Sequence, residues 1–536
     1  AWPYANGSLH VGHIASLLPG DVIARYYRAA GENVCLVSGS DCYGTPVTIR
    51  AREENKTPGE ISDGYHREFT ECFERLGFSY DRYGKTTSAE HRDFIRDFHR
   101  KLYESAYVYE KEAPAAFCGQ CRMVLTDRLV TGCCPQCGAA ARGDQCDACG
   151  TVLEPENLLE PVCATCGSPV TFRSTKHLTI ALTRLEPVLR RFLEERSHGP
   201  QNAKAFTRRY LDEGLRDRAL TRDLSWGIDV PKEGYEEKRI YIWAENVLGY
   251  LSMSKAVLEE RGESLADFQG ENSRHYYVHG KDNIPFHTII LPALPHCEGS
   301  GWRLPDHIVS SEHLTPEGRK ISTSQNWAVW VRDLLERFQP DSIRYFLLAH
   351  GPEKKDSDFS FRELVRSHNK ELLGIYGNLI NRTLRFIYQY CGAAVPRGRL
   401  TPEIEKRTGE LFAVTGSLIE SGSIREAISY LFDFARFGNR YFDTEKPWET
   451  RETDPAACGN TLYNCVQIIA NLAVCLQPFL PFSSEKVRAW LGLDSRWAVK
   501  SVPAGFAIPE PEILFERLPA GTAAAELARL KLSNPK

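Results

Sequence analysis

Apolar and polar positions divide the chain into two regimes. Ala1–Tyr4 read as the end of a strand, and Asn6-Gly7-Ser8 read as a turn. Ile14, Leu17, Leu18, Val22, Ile23 and Tyr26 then recur at the spacing of one helix face. Pro19 falls inside that face, so a kink or break is expected near Leu18. After about Asp356 the pattern becomes helical, first over Phe361–Cys391, then in "LFDFARFGNRYFDTEKPW" and "NTLYNCVQIIANLAVCLQPFLPF". The Lys-Pro before Trp448 marks a helix stop. No run of about 18 apolar residues occurs, so no membrane span is expected.

Length and charge narrow the picture. A chain of 536 residues is long enough for two to four domains. Its net charge of −4 excludes a chain-wide basic field, so any nucleic acid must be held by a local basic patch or by shape. Ala1 opens directly into a motif and no signal peptide is visible, so residues upstream of it are expected.

The 17 cysteines change the picture more. Four Cys-x-x-Cys pairs fall between Cys118 and Cys166, and the other nine thiols are scattered. That usage points to a cytoplasmic protein with metal sites, not to a disulfide scaffold. Tetrahedral Zn²⁺ takes four thiolates, and a two-residue spacer presents a pair to one ion. Cys134, Cys137, Cys146 and Cys149 most simply share one ion, and the flanking Cys118, Cys121, Cys163 and Cys166 a second. All-Cys sites leave no open position for water, so both are expected to be structural.

His10-Val11-Gly12-His13 stands where a strand gives way to a helix. Backbone N–H groups and the helix dipole favour phosphate there. Two imidazoles three residues apart can face one anion, and Gly12 leaves room for a flat ring. In its context, "PYANGSLHVGH" resembles the "HIGH" signature of class I aminoacyl-tRNA synthetases, with a lead-in similar to the methionyl-tRNA synthetase family. "VSGSDCYGTPVTIRA", "TRDLSWGIDVP", "IYIWAENVLGYLS", "HGKDNIPFHTIILPA", "GRKISTSQNWAVWV", "GNLINR" and "KPW" follow in that family's order, so the resemblance covers nearly the whole chain.

The resemblance implies methionine–tRNA ligase activity, with methionine, ATP with Mg²⁺, and tRNA(Met) as substrates and partners. It implies that His10 and His13 contact the ATP phosphates with Gly12 under the adenine. Lys320 would be a second phosphate contact in a "KMSKS"-like loop, where Thr323 replaces the family's second lysine. Asp282 would hold the adenylate ribose, or tether the site through an arginine such as Arg222, and Gly280 would let the backbone pass close. Asp41 would pair with the substrate α-ammonium. Ala1, Trp2, Tyr4, Trp243, Asn246, Tyr250 and His287 would line an amino-acid pocket, where aromatic rings suit a thioether and Tyr4 and His287 add a weak hydrogen bond toward sulfur. Asn246 stands where the family has a small alanine, and Cys42-Tyr43 where it has Glu-His. Asn378, Arg382 and Trp448 would read the anticodon by stacking and edge hydrogen bonds.

The fold class expected is α/β: a Rossmann-type catalytic domain with a zinc-knuckle insertion, followed by an all-α anticodon-binding helix bundle. The boundaries expected are 1–109 and 231–311 for the Rossmann domain, 110–230 for the insertion, 312–372 for a linking segment and 373–536 for the bundle. The chain ends without the appended domain of some relatives, so a monomer is expected. Two alternatives remain at this point. One is a paralogue activating another amino acid, motivated by Asn246, Cys42 and Tyr43. The other is a non-catalytic tRNA-binding protein, motivated by Thr323.

Overall fold

The structure is a computed structural model that describes residues 1–125, 129–143, 146, 148–149, 153–195, 201–322 and 326–532. Thr323 lies outside the described residues. The N-terminal half is built on parallel strands: β1 (Val37–Ser40) pairs with β2 (Arg82–Lys85), and β3 (Tyr276–Gly280) with β4 (His307–Ser311). Residues 1–5 join the two ribbons. The Asp41 amide donates to Pro3 O and the Ala5 amide to Asp41 O, both at 2.8 Å, while the Ala1 nitrogen donates to Val278 O at 2.9 Å. The spatial order is therefore β2, β1, the N-terminal segment, β3, β4, and chain order reverses at the middle. In open parallel sheets, the crevice at such a reversal is where ligands bind.

Helix α1 (Val11–Ala30) leaves that middle segment. The backbone N–H of His10 is taken by the Nδ1 of His13, and the helix closes on Gly31, whose φ of +92° suits glycine. Of the kink or break expected near Leu18, the break does not occur: α1 is one helix from Val11 to Ala30 with Pro19 inside it. The missing N–H costs one internal bond, but Ile14, Leu17, Leu18, Val22 and Ile23 are all buried around it and hold the helix in place. At Gly20 α1 lies on β3, within ordinary van der Waals reach of Val278.

The insertion is an antiparallel ribbon, Val108–Cys118 against Thr171–Ile180, that carries the cysteine knuckles at its far end. Its tip packs back on the catalytic half: Ile49 joins the knuckle cluster, and Arg52 Nη2 meets Met123 Sδ at 3.3 Å.

The C-terminal third is helical, and its Cys458–Leu476 stretch is almost wholly buried at the centre. Residue 373 falls inside an unbroken helical run from Phe361 to Tyr390. One apolar core spans α1 and the bundle. At their joint Arg344 and Asp21, both fully buried, meet at 2.7 Å. Arg344 also donates to the carbonyls of Phe479, Leu76 and Pro478. Leaving either charge alone there would cost several kcal/mol, roughly 3–5, so the pair commits the two halves to one arrangement. No helix among the described residues is long and apolar enough to cross a membrane.

Candidate active site

The imidazoles of His10 and His13 stack at the N-terminus of α1 with ring centroids 3.7 Å apart. His13 Nδ1 accepts the His10 amide at 3.2 Å, so its proton sits on Nε2. Burial holds both rings far below the ordinary imidazole range: His13 falls to about 4, and His10 is lowered further by the neighbouring His13. Both are neutral near pH 7 and act as N–H donors rather than cations. His10 Nδ1 has no partner among the described residues. Gly12 has a steric role within the fold. A Cβ there would come within 3.0 Å of His10 Nδ1 and 3.1 Å of Ile321 Cδ1. Its absence lets the His10 ring fold back and lets the Lys320 loop approach.

That loop is tied to the same place. The Val11 amide donates to Val329 O at 3.0 Å and the Val331 amide to Leu9 O at 2.9 Å. Lys320 is exposed, and the Arg319 guanidinium lies 4.1 Å over the Trp327 ring. Gly280 passes α1 closely: a Cβ there would sit 3.2 Å from Ser16 Oγ. The expected tether from Asp282 to Arg222 is not made. Asp282 is 81% exposed with His313 Nε2 at 3.7 Å, whereas Arg222 lies 4.0 Å over the Tyr241 ring and donates to the carbonyls of Ala219 and Thr221. Lys281, not Asp282, is the paired member of "GKDN", meeting Glu312 at 2.6 Å and Asp356 at 2.8 Å.

Next to the switch point lies a buried polar group walled by aromatic rings. Asn246 Nδ2 donates to Asp41 Oδ2 at 2.5 Å, and the Tyr43 amide donates to Asp41 Oδ1 at 3.3 Å. Burial, then the nearby Glu245, raises the Asp41 carboxyl well above the usual carboxylate range. Glu245 is itself raised by burial and touches His91 Nε2 at 2.8 Å. Ser252 Oγ donates to Gly249 O and sits 2.8 Å from His91 Nδ1, so Nδ1 holds the imidazole proton. His91 Nε2 is then an acceptor and Glu245 a neutral donor, in keeping with the fall of His91 to about 3 through burial.

The indole of Trp2 is wedged between two glycines. A Cβ would fall 2.2 Å from Trp2 Cζ3 at Gly39 and 2.5 Å from Trp2 Cζ2 at Gly249. Tyr250 flanks it with centroids 6.1 Å apart. Tyr4 meets Trp243 edge-on at 6.3 Å, and Trp243 stacks on Phe286. The expected hydrogen bond from His287 toward a sulfur has no free donor. Its Nδ1–H donates to Asn283 O and its Nε2 accepts from the Tyr250 hydroxyl, each at 2.8 Å. Sequence reasoning missed Glu245, His91, His279 and Trp226. Trp226, in "LSWGIDVP", donates to Cys42 O at 2.8 Å and packs on Tyr43. His279 stacks on His287 at 4.1 Å.

Both cysteine quartets assemble as expected. Cys118, Cys121, Cys163 and Cys166 form one group and Cys134, Cys137, Cys146 and Cys149 the other, with all sulfurs of a group within 4.8 Å of one another. Measured Sγ–Sγ distances run from 3.4 Å (Cys118 to Cys166) to 3.9 Å (Cys121 to Cys163). Four thiolates about 2.3 Å from a tetrahedral Zn²⁺ lie about 3.8 Å apart, so the donor sets fit that ion. Gly138 and Gly167, following two of the pairs, take φ near +72° and +71°, as the wrapping turn requires.

At the far end of the bundle Asn378, Arg382 and Trp448 gather around the helix Ile424–Glu445. Asn378 Nδ2 donates to Asn439 Oδ1 at 3.1 Å, and Arg382 to Asp443 Oδ1 at 2.8 Å and Asn439 O at 2.6 Å. The Arg382 guanidinium covers the Phe442 ring at 4.1 Å, and Trp448, 47% exposed, stacks on the same Phe442 at 5.9 Å. Lys446 closes the preceding helix at φ +46°, and Pro447 opens the next.

Comparison with known proteins agrees with this geometry. The family described as "tRNA synthetases class I (M)" matches residues 1–384, and the "Anticodon binding domain of methionyl tRNA ligase" matches residues 397–530. Methionine–tRNA ligase 1 of Alkaliphilus oremlandii is 51% identical over 533 residues, covering 99% of this chain and 98% of that protein. Methionine–tRNA ligase of Bacillus cereus strain B4264 is 50% identical over 536 residues, with coverage of 99% and 98%. The solved Mycobacterium tuberculosis methionyl-tRNA synthetase bound by methionyl-adenylate shares the fold, with a TM-score of 0.79 at 22% identity over 96% of this chain and 99% of that one.

Proposed function

The chain belongs to the class I tRNA synthetases of the methionyl type, and on that premise we propose that it joins methionine to ATP, releasing pyrophosphate, and then passes the methionyl group to the 3′ end of tRNA(Met). The observation that carries this reading is the stacked pair His10 and His13 at the N-terminus of α1, where the chain leaves the switch point beside the pocket that ends at Asp41.

Adenylation places charge on the α-phosphate and on the departing pyrophosphate, so its catalysis is positioning and charge stabilisation. The two neutral imidazoles would donate to phosphate oxygens, and the positive end of the α1 dipole would favour the anion. Lys320, exposed on a loop fastened to Leu9 and Val11, would add the positive charge, and Mg²⁺ would accompany the ATP. Asp282 and Gly280, at the end of β3, would border the ribose.

The methionine ammonium would pair with Asp41. Because Glu245 is neutral, Asp41 is the group left to carry charge, and a bound cation would restore its ionised form. The thioether would lie among Trp2, Tyr4, Trp243 and Tyr250, with Ala1 and His287 completing the walls. Asn246 turns its amide toward Asp41, so it supports the ammonium site in preference to reshaping the side-chain pocket. Asn378, Arg382 and Trp448 would read the anticodon, with Trp448 offering a face for stacking. Each cysteine quartet would hold one structural Zn²⁺ and brace the insertion against the helix Thr45–Glu53. Residues 1–109 and 231–311 would form the catalytic domain, 110–230 the insertion, 312–372 the link and 373–536 the anticodon-binding bundle. We further assign the protein to the cytoplasm, as a monomer.

Amino-acid-dependent ATP–pyrophosphate exchange across all twenty amino acids tests the reading. Stimulation by methionine alone is expected. Stimulation by another amino acid would replace it with the paralogue. Binding of tRNA without any exchange would replace it with a non-catalytic tRNA-binding protein.

A further inference from the structure

Asp41 and Glu245 are neighbouring buried carboxyls, and neither meets a lysine or arginine among the described residues. Two such groups cannot both ionise at modest cost, so the pair holds one proton. Which carboxyl holds it decides where a cation can dock. The two are dressed differently. Both oxygens of Asp41 accept hydrogen bonds, Oδ2 from Asn246 Nδ2 at 2.5 Å and Oδ1 from the Tyr43 amide at 3.3 Å. Glu245 Oε2 meets only His91 Nε2, at 2.8 Å, and Oε1 has no partner among the described residues. A carboxylate with a bare buried oxygen is costly, and a carboxylic acid whose carbonyl oxygen is bare is far less so.

His91 is held in the tautomer that suits the acid. It lies in the first turn of the helix Ala89–Leu102, where the positive end of the helix dipole disfavours an imidazolium. Ser252, on the helix Gly249–Arg261, donates its hydroxyl proton to Gly249 O at 3.1 Å, so its oxygen is left to accept Nδ1–H of His91 at 2.8 Å. The lone pair on Nε2 then points at Glu245. The imidazole is fully buried with the Trp2 ring 6.2 Å away between centroids, so no water competes for that lone pair.

We propose that His91 is a positioning residue for methionine binding: by accepting the proton of Glu245 it confines the single negative charge of the buried pair to Asp41. The proposal rests on the ammonium-binding role given to Asp41. His91 itself touches no substrate. It and Asn246 act on opposite members of the pair, since Asn246 favours the charged form of one carboxyl and His91 the neutral form of the other. Glu245 and Asn246 are consecutive, so one turn of chain carries both contacts. Without His91 the Glu245 proton has no acceptor and is drawn to Asp41, whose charge it cancels.

The test is pyrophosphate exchange by the full chain at varied methionine and varied ATP, for the wild type, His91→Leu, His91→Gln, Glu245→Gln and the double variant H91L/E245Q. His91→Leu should raise the KM for methionine about tenfold and leave the KM for ATP within roughly twofold. His91→Gln keeps an amide oxygen to accept the proton, and its methionine KM should stay within roughly threefold of the wild type. Glu245→Gln is neutral and keeps a donor toward His91 Nε2, so the same is expected of it. The double variant should return to the methionine KM of Glu245→Gln, because glutamine has no proton to give to Asp41. A loss caused only by packing would persist there. A methionine KM unchanged in His91→Leu, or not restored in the double variant, overturns the role. So does a tenfold rise in Glu245→Gln alone, which would show that Glu245 carries charge, and that variant decides the question even where His91→Leu does not fold. Any of these results in a chain whose wild type responds to methionine removes the role of His91 only. A wild type with no methionine-dependent exchange removes the functional reading, and the role with it.

Discussion

Asn246 donates its side-chain amide to Asp41 at 2.5 Å, and both side chains are buried. The bond does two things at once. It satisfies an amide that burial would otherwise penalise, and it holds one oxygen of the carboxylate in a fixed orientation. Asn246→Ala should therefore act through Asp41. A hydrogen bond to a charged group is worth about 1.5–3 kcal/mol, so the KM for methionine should rise roughly 10- to 100-fold, with the KM for ATP little changed. Pyrophosphate exchange at varied methionine and at varied ATP separates the two. Parallel loss of both would mean that Asn246 is only a packing residue.

The same pair sets a pH dependence. Burial raises the Asp41 carboxyl above the usual range, so in the free enzyme its protonated form persists to higher pH than that of an exposed aspartate. The protonated form cannot pair with an ammonium. The KM for methionine should climb as pH falls through that raised value, and the climb should disappear in Asp41→Asn, which has lost the titrating group and most of its affinity. A KM that is flat with pH in the wild type would show that Asp41 does not carry the ammonium.

Trp2 occupies the space that side chains at Gly39 and Gly249 would need. Gly249→Ala puts a methyl 2.5 Å from Trp2 Cζ2, and overpacking of this kind costs about 1–3 kcal/mol. Adding Trp2→Leu should recover most of the lost melting temperature. At Gly39 the same second change should fail, because a Cβ there also lies 2.5 Å from the backbone oxygen of Gly84, which cannot move aside. Equal rescue at both positions would refute the argument.

The sequence made legible what is local or repeated. The turn at Asn6–Ser8, the helix face from Ile14 to Tyr26 and the cysteine quartets all follow from spacing, and the structure assembles them so. Relations set by distant chain segments were illegible. Glu245 and His91 are separated by 153 intervening residues, and neither stands in a repeating pattern, so nothing in their neighbourhoods announces a shared proton. The break considered at Pro19 does not occur, because burial on several sides holds the helix together through it. The alternative tether from Asp282 to Arg222 was illegible because it too joins distant segments: the structure leaves Asp282 in solvent and pairs its neighbour Lys281 with Glu312.

Zinc should matter to the insertion more than to the first half-reaction. The quartets lie at the end of a ribbon and touch the catalytic half at Ile49 and Arg52, not at His10 or Asp41, and none of their sulfurs is bonded to a residue of the candidate site in any contact described above. Elemental analysis should find two zinc ions per chain, and Cys134→Ser should leave one. Chelation should lower the melting temperature and impair transfer to tRNA while methionine-dependent pyrophosphate exchange persists. Exchange lost on chelation, with the fold intact by circular dichroism, would place the metal in the chemistry.

Acid should unfold the protein through its buried imidazoles. His99 is wholly buried: its Nε2–H donates to Ala244 O at 2.8 Å, and its Nδ1 accepts from the Tyr103 hydroxyl at 3.0 Å. Burial lowers it to about 4 from an ordinary value of 6.5. Between those two values the unfolded chain binds a proton that the folded one does not. Stability is therefore fully present above about pH 6.5 and is lost as pH falls toward 4, with His99 alone accounting for on the order of 3 kcal/mol at the lower end. Asp41 and Glu245, whose values are raised, act with the opposite sign and partly offset the loss. His99→Gln keeps a donor for Ala244 O and removes the titration. Its melting temperature should start lower than that of the wild type at pH 7 and fall less steeply toward pH 4.5. Identical slopes in the two proteins would show that the proton is taken up elsewhere.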